Sequence, residues 1–332
     1  MDLLLSLPFL SYFLLPSSAT SWFTTTLTAS LFYLNWLTLV LSHPPLKVHL
    51  VGLLALRLLL WLLPSLLTLL FDLALPSLAA PLKHGGRAGL PPRHYALARV
   101  LPLAALNTVF LLGVEGACSY LYALVLGRTE LLVSATLPLP WQVARHVGLL
   151  LLLREFLQYH IHRSLLHGPY GVSRLHLGYA HARAAAPFSL QLFADHPLPL
   201  VLHRLVPVYV PAALLRVHLL TYLVFVAVCT LEETISMSGY AVGPGIIARG
   251  LARRCAVHYA GRGGANFGAC GVADWAYGTG RGGDVMEDIK EEADKHNVRG
   301  HAEDKVSEGA GVLQGGLEVL RGKGKKKATR DS

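Results

Sequence analysis

Long apolar runs separated by short polar segments dominate the chain up to about residue 240. Because about twenty apolar residues cross the hydrocarbon core of a bilayer as a helix, we expect membrane spans at about residues 22–41, 48–70 and 100–126. The shorter run at residues 3–15 is followed by small residues. It is interpreted as an interfacial or partly inserted segment, with a cleaved signal peptide as the alternative.

The later part of the chain has a less regular pattern. Residues 130–153 are apolar but interrupted by two prolines, and whether they cross the membrane stays open. Residues 197–231 are apolar again, with Pro207 and Pro211 in the middle and Arg216 and His218 soon after. This pattern predicts two short segments that form a hairpin and return to the same side. From about residue 284 the chain is polar and of mixed charge, which indicates a solvated helix followed by a disordered tail.

Composition supports a membrane protein. Of 332 residues, 53% are hydrophobic and only 15% are charged, too apolar for a soluble domain of this size. The fold class expected is all-α, a polytopic membrane helical bundle. The formal charge of +9 comes from short basic segments that flank apolar runs, so nucleic acid is not an expected partner. The positive-inside bias places the basic loop at residues 83–99 in the cytosol.

Histidines supply the candidate chemistry, since six of the sixteen lie between residues 155 and 196. Neutral imidazole is a common metal ligand, and this stretch holds no cysteine. His162 and His167 are five residues apart, about 140° around an α-helix. They can share a metal only if the helix ends or distorts between them, as Gly168 and Pro169 suggest. No P-loop, dinucleotide fingerprint or nucleophile elbow accompanies them.

Five ordered elements resemble the fatty acid hydroxylase and sterol desaturase superfamily over roughly residues 140–280. The matching residues are Glu155, Tyr159, His162, Arg163 and His167; then Arg174, Leu175, His176, Tyr179 and His181; then Ala186, Pro187, Asp195, His196 and Pro197; then Glu232, Glu233, Ser238, Gly239 and Tyr240; and finally His258, Asn266, Phe267, Gly268, Asp274, Trp275, Gly278 and Thr279.

This resemblance implies a helical membrane protein with a cytosolic, histidine-rich metal-site cap that holds two non-haem irons. The implied reaction hydroxylates or desaturates a lipid (sterol, sphingoid base or fatty acyl chain) with O2. Electrons would come from a partner such as cytochrome b5 or its reductase, in the endoplasmic reticulum. The implied metal ligands are His162, His167, His176, His181, His196 and His258. Glu155 is the candidate catalytic acid, expected either to orient a ligand histidine or to pair with Arg154 or Arg163.

The chain departs from the family's pattern at ligand positions. Where the family carries histidines, this chain has Ala180, Met237, Cys255 and Tyr259. About eight imidazoles usually hold the two irons, and the available substitutes are His160, His203 and His218. Asn266 and Asp274 are expected to be turn and capping residues.

Three domains and three functions are therefore weighed. The predicted division is a transmembrane region at residues 1–135, a histidine-box domain at 136–283 and a polar tail at 284–332. The first function is the lipid hydroxylase or desaturase. The alternatives are a catalytically impaired homologue that binds lipid or a partner, and a small transporter that uses the intramembrane charges Arg57, Asp72 and Glu115.

Overall fold

The structure is a computed structural model that describes residues 21–243 and 245–283. Within these residues it is all-α, and the only β pairings are two isolated bridges. The segment at residues 3–15 and the tail at 284–332 lie outside the described residues. The principal helices are α1 (Ser21–Ser42), α2 (Pro45–Ala74), α3 (Tyr95–Leu126), α4 (Pro140–His160), α5 (Gly171–Tyr179), α6 (Pro197–Leu214), α7 (Leu219–Ser236), α8 (Gly245–Ala260) and α9 (Val272–Ala276).

Proline and glycine set several helix ends. Pro45, Pro140 and Pro197 stand at the first position of α2, α4 and α6, where the missing backbone N–H costs nothing and the fixed φ suits a helix. The helix α3 ends at Gly127, whose left-handed φ of 63° lets its N–H reach the carbonyl of Ala123. These local signals fix where the long apolar stretches begin and end.

Among residues 21–243 and 245–283, four helices are long and apolar enough to cross a membrane: α2, α3, α6 and α7. They confirm a polytopic membrane bundle and include the expected second and third spans. The first expected span forms helix α1, which is apolar over Leu27–Ser42. The helix α4 is not among the four, because its polar and charged residues lower its hydropathy.

The predicted hairpin is present as α6 and α7, joined by residues 215–218. Near the histidine-bearing end, Arg204 of α6 and Glu233 of α7 form an ion pair of 2.7 Å. The basic loop lies at this same end, because Arg183 donates to the carbonyls of Ala88 and Leu90 and Lys83 donates to that of Ser238. The histidine stretch and the basic loop therefore share one face of the bundle.

The three intramembrane charges of the transporter reading all have partners. Arg57 and Glu115 lie 3.6 Å apart, and Glu115 also contacts His49 and accepts a hydrogen bond from Tyr222. Asp72 pairs with Lys83 at 2.8 Å. Buried charges with close partners are expected in a stable membrane bundle, so these groups need no transport role to explain them.

One hydrophobic core runs from α1 to α8 across the expected boundary at residues 135/136, which falls in the loop between α3 and α4. Two contacts tie this core to the histidine-rich end. The indole of Trp61 donates to the carbonyl of Ser189, and the amide of Asn107 donates to the carbonyls of Phe193 and Asp195 at 2.7 Å each. The membrane helices thus fix the backbone that carries the Asp195 carboxylate.

Candidate metal centre

Four histidines converge at the end of α4. His162, His167, His176 and His181 each offer one ring nitrogen, and these nitrogens all lie within 4.8 Å of one another. Three of the four side chains are buried and that of His167 is half-buried. The sequence prediction of a metal site made of imidazoles is therefore supported by convergence of residues from α4, α5 and the loops that follow them.

The five-residue spacing of His162 and His167 is accommodated by a π-helical turn. Residues Ile161–Leu166 continue α4 as π-helix, and the backbone N–H of His167 donates to the carbonyl of His162 at 3.0 Å. A π-turn bonds residue i to i+5, so it stacks residues five apart as an α-helix stacks residues four apart. The two rings consequently lie on one face, with centroids 4.9 Å apart.

Outer hydrogen bonds orient two of these rings. Nδ1–H of His162 donates to the carbonyl of Phe267 at 2.9 Å, and Nδ1–H of His176 donates to the Asp195 carboxylate at 2.6 Å. A proton on Nδ1 leaves the lone pair on Nε2, the form that binds a metal. Sequence reasoning missed this role of Asp195, whose only signal was its place beside His196.

One ring nitrogen of each of the four histidines lacks a partner. Nε2 of His162, His167 and His176 and Nδ1 of His181 are buried and have no hydrogen-bond partner among the described residues. Leaving a buried polar atom unpaired costs about 1–3 kcal/mol, so four in one place need an explanation. A bound metal ion would satisfy all four, and imidazole nitrogens suit iron, zinc, copper and nickel.

Burial keeps the cluster neutral. Desolvation, helped by neighbouring histidines, lowers the pKa of His162 well below its usual range and that of His167 to about 2. Burial likewise lowers the pKa of His258 to about 4, partly opposed by its hydrogen bond to Ala265. At neutral pH these rings therefore carry no proton that a metal would have to displace.

We expect the metal-free protein to lose stability as the pH falls below about 6.5. Between pH 6.5 and the lowered pKa values, these histidines are protonated in the unfolded chain but not in the folded chain, so acid favours unfolding. Each histidine contributes up to about 1.4 kcal/mol per pH unit in this window. Thermal unfolding in detergent from pH 8 to 5 measures the effect, and a flat profile would contradict it.

Two further histidines border the group. Nε2 of His258 lies 3.2 Å from Nε2 of His181, while its Nδ1–H donates to the carbonyl of Ala265 at 2.6 Å. The ring of His203, one of the three possible substitutes, lies 4.2 Å from that of His162, with its Nε2 bonded to Gln158 at 3.2 Å. His258, an expected ligand, thus lies beside the four, and His203 adds a sixth imidazole.

The structure places the other candidate histidines elsewhere. His196 is half-buried, stacks edge-on against Tyr179, and accepts the backbone N–H of Leu198 as the cap of α6. His160 contacts Tyr277 at 3.4 Å, and His218 caps α7 through Leu220. One ring nitrogen of His196 thus caps α6, and its membership of the ligand set stays a prediction.

Glu155 binds backbone N–H groups, and its catalytic role stays a prediction. Its buried carboxylate accepts the backbone N–H groups of Cys270 at 2.7 Å and Ala273 at 3.0 Å. It therefore holds the start of α9 and the loop before it. The expected pairing with Arg154 is not found either, since Arg154 binds Glu232 and Glu233. Glu155 can position Phe267, whose carbonyl orients His162, only through this loop.

Asp274 organises the same loop from the other side. It is fully buried and accepts hydrogen bonds from the backbone N–H groups of Phe267 and Gly268, from Arg254 and from the hydroxyl of Thr279. Asn266, at a left-handed φ of 58°, bonds to the backbone of Arg254 and Arg281. Both residues have the turn and capping roles expected of them.

Gly263 leaves room for a ligand ring. Its φ is 82°, and a Cβ built on it would overlap the imidazole of His167. We expect Gly263→Ala to displace that ring and to weaken metal binding by about tenfold or more, as removal of support for a ligand does. Metal titration of the purified variant measures this. Gly148→Ala, where a Cβ meets nothing within 4 Å, is the matched control.

A narrow cleft of about 70 Å³ opens beside His162, His176 and His258. It is smaller than the roughly 300–1,000 Å³ of a whole small-molecule site, so it would admit only the reacting segment of a long molecule. The side chains of Met237, Leu251 and Phe267 supply apolar lining. Burial raises the pKa of the Cys255 thiol on this cleft to about 12, which keeps the sulfur protonated.

Residues 147–279 match the family model described as Fatty acid hydroxylase. All four convergent histidines, His258 and the Asp195 and Asp274 carboxylates fall within the matched range. No solved structure matches the chain.

Proposed function

Because residues 147–279 belong to the fatty acid hydroxylase family, we propose that this chain is a metal-dependent membrane oxidoreductase that hydroxylates or desaturates a lipid. The observation that carries the proposal is the set of four convergent ring nitrogens that are buried and lack hydrogen-bond partners within the described residues. Asp195 and the Phe267 carbonyl support it, because they fix two of these rings in the ligating form.

The metal proposed is iron and the co-substrate is O2. No amino-acid side chain oxidises an unactivated carbon, so the bound metal would supply the redox chemistry. Insertion of oxygen into one C–H bond consumes one O2, two electrons and two protons, and yields an alcohol and water. Desaturation consumes the same reagents and yields an alkene and two waters. An external donor such as cytochrome b5 or its reductase is the proposed source of electrons.

The chain's own residues would bind, orient and shield the reacting segment. The cleft beside His162 and His176 would admit a narrow segment, which would contact the apolar part of a mixed apolar and charged lining. The Arg154 guanidinium donates to Glu232 at 2.7 Å and to Glu233 at 2.6 Å. Its positive charge thereby offsets part of their negative charge in the wall of the cleft. The Asp195 carboxylate accepts a hydrogen bond from Nδ1–H of His176, which keeps that proton on Nδ1.

The proposed location is the endoplasmic reticulum, with the histidine group and the basic loop facing the cytosol. Both lie on one face of the bundle, and the loop at residues 83–99 is basic. Cytosolic loops carry the excess of Lys and Arg, and the proposed electron donors act on that side. A long apolar substrate would enter from the bilayer through the exposed apolar sides of the spanning helices.

The test is to express the full chain in cells and compare their lipids with those of cells that express His167→Ala/His181→Ala. We expect an oxidised or desaturated lipid only with the native chain, and oxygen from labelled O2 in any alcohol formed. His196→Gln is the matched control that should keep the product, since His196 caps α6 outside the group. Identical lipids in all strains would favour the alternative, a homologue that binds lipid or a partner without catalysis.

A further inference from the structure

Three of the four residues that replace histidines in this chain lie on one side of the metal centre. Met237, Cys255 and Tyr259 all line the cleft beside His162 and His258. The fourth, Ala180, directly precedes His181 in the convergent group. The substitutions therefore remove ligands mainly from the cleft side.

The group of four histidines has the dimensions of one coordination sphere. Nitrogens bound to one ion at about 2.1 Å lie at most about 4.2 Å apart. The four nitrogens of the group already lie within 4.8 Å of one another, so small ring rotations bring them to a single ion. Each of the four residues also has one buried ring nitrogen without a hydrogen-bond partner among the described residues.

The cleft side offers little to a second ion, which would lie about 3.5–4 Å from the first with ligands of its own. The sulfur of Met237 accepts from the Arg204 guanidinium at 3.6 Å, and Nε2 of His203 is bonded to Gln158. The carboxylates there are also engaged, because Glu232 and Glu233 bind Arg154. Guanidinium groups of Arg154, Arg204 and Arg254 line this cleft and oppose further positive charge.

We propose that this chain binds one metal ion, held by His162, His167, His176 and His181, instead of the two that its sequence resemblance implies. His258 is the nearest fifth imidazole, and the position of a second ion is taken by Met237, Cys255 and Tyr259 with the arginine–glutamate network. This inference rests on the proposed function for the identity of the site, but it makes a separate statement about stoichiometry.

The experiment titrates the purified, tag-free, metal-free full chain in detergent with Co²⁺ under anaerobic conditions, and follows visible absorbance and electron paramagnetic resonance. We expect saturation at one equivalent with the spectrum of an isolated ion. His203→Gln should also take up one equivalent, with affinity within about threefold of the native chain, while His176→Ala should take up none. If His176→Ala does not fold, the amount of Co²⁺ bound by the native chain and by His203→Gln still tests the proposal.

Saturation at two equivalents, or magnetic coupling between two ions, would overturn the single-ion proposal. So would loss of binding in His203→Gln, because that ring belongs to the cleft side. These outcomes leave the proposed function intact if an oxidised lipid is still formed. Conversely, one equivalent of bound metal without any lipid product would support the single-ion site and refute the hydroxylase or desaturase reading.

Discussion

Replacement of His176 by alanine is expected to abolish metal binding and, with it, every oxidised lipid product. His176 is 2% exposed and lies at the centre of the group, with ring centroids 5.1 Å from both His167 and His181. Loss of one of four ligands removes a large part of the binding energy and opens the site to water. Metal analysis of the purified variant and lipid profiles of expressing cells measure the two effects.

A conservative substitution distinguishes the orientation of a ligand ring from metal ligation itself. Asp195→Asn keeps the shape at the His176 ring but removes the charge that fixes its tautomer, so metal affinity should fall about 10–100-fold without being lost. Glu115→Gln, in the membrane-embedded network, should leave both metal and product unchanged. Loss of function in Glu115→Gln together with full function in His176→Ala would contradict the enzyme reading and support transport.

Replacement of Asp274 by alanine is expected to destabilise the protein by about 3–5 kcal/mol, the range for leaving a buried charge without its partner. The change leaves Arg254, which is only 5% exposed, without its ion-pair partner. It also removes the acceptor for the N–H groups of Phe267 and Gly268. The carbonyl of Phe267 would then cease to hold His162. Thermal unfolding with and without bound metal measures both consequences.

Asp274→Asn is the matched control. It retains one acceptor oxygen for the backbone N–H groups but lacks the charge opposite Arg254, so an intermediate loss of about half that of alanine is expected. Equal unfolding temperatures for the native chain, Asp274→Asn and Asp274→Ala would show that the loop does not depend on this carboxylate.

The membrane helices could be predicted from the sequence because hydropathy over twenty residues is a local property. The spans expected at residues 48–70 and 100–126 are present within longer helices, and the proline-containing hairpin forms as expected. Whether α4 is a membrane span could not be predicted from hydropathy, since its polar residues are buried by tertiary contacts. Arg154, for example, is 1% exposed and bonded to two glutamates of α7.

The histidines of the site could be predicted better than the contacts that orient them. Ordered motifs pointed to His162, His167, His176 and His181, and these converge. His203 lies six residues beyond Pro197, outside the matched motifs, and reaches His162 only through the packing of α6 against α4. The backbone carbonyls of Phe267 and Ala265 had no signal in the sequence, because every residue has a carbonyl and only the fold selects those that meet a ring.

The π-helical turn at Ile161–Leu166 has a consequence for finding related sites. A search pattern that requires exactly three residues between paired histidines would reject this pair, although its two ring centroids lie 4.9 Å apart. The five-residue spacing is accommodated by a change of hydrogen-bond register and not by a loop. Queries for such proteins should therefore tolerate one extra residue wherever the ligand pair lies at the end of a long helix.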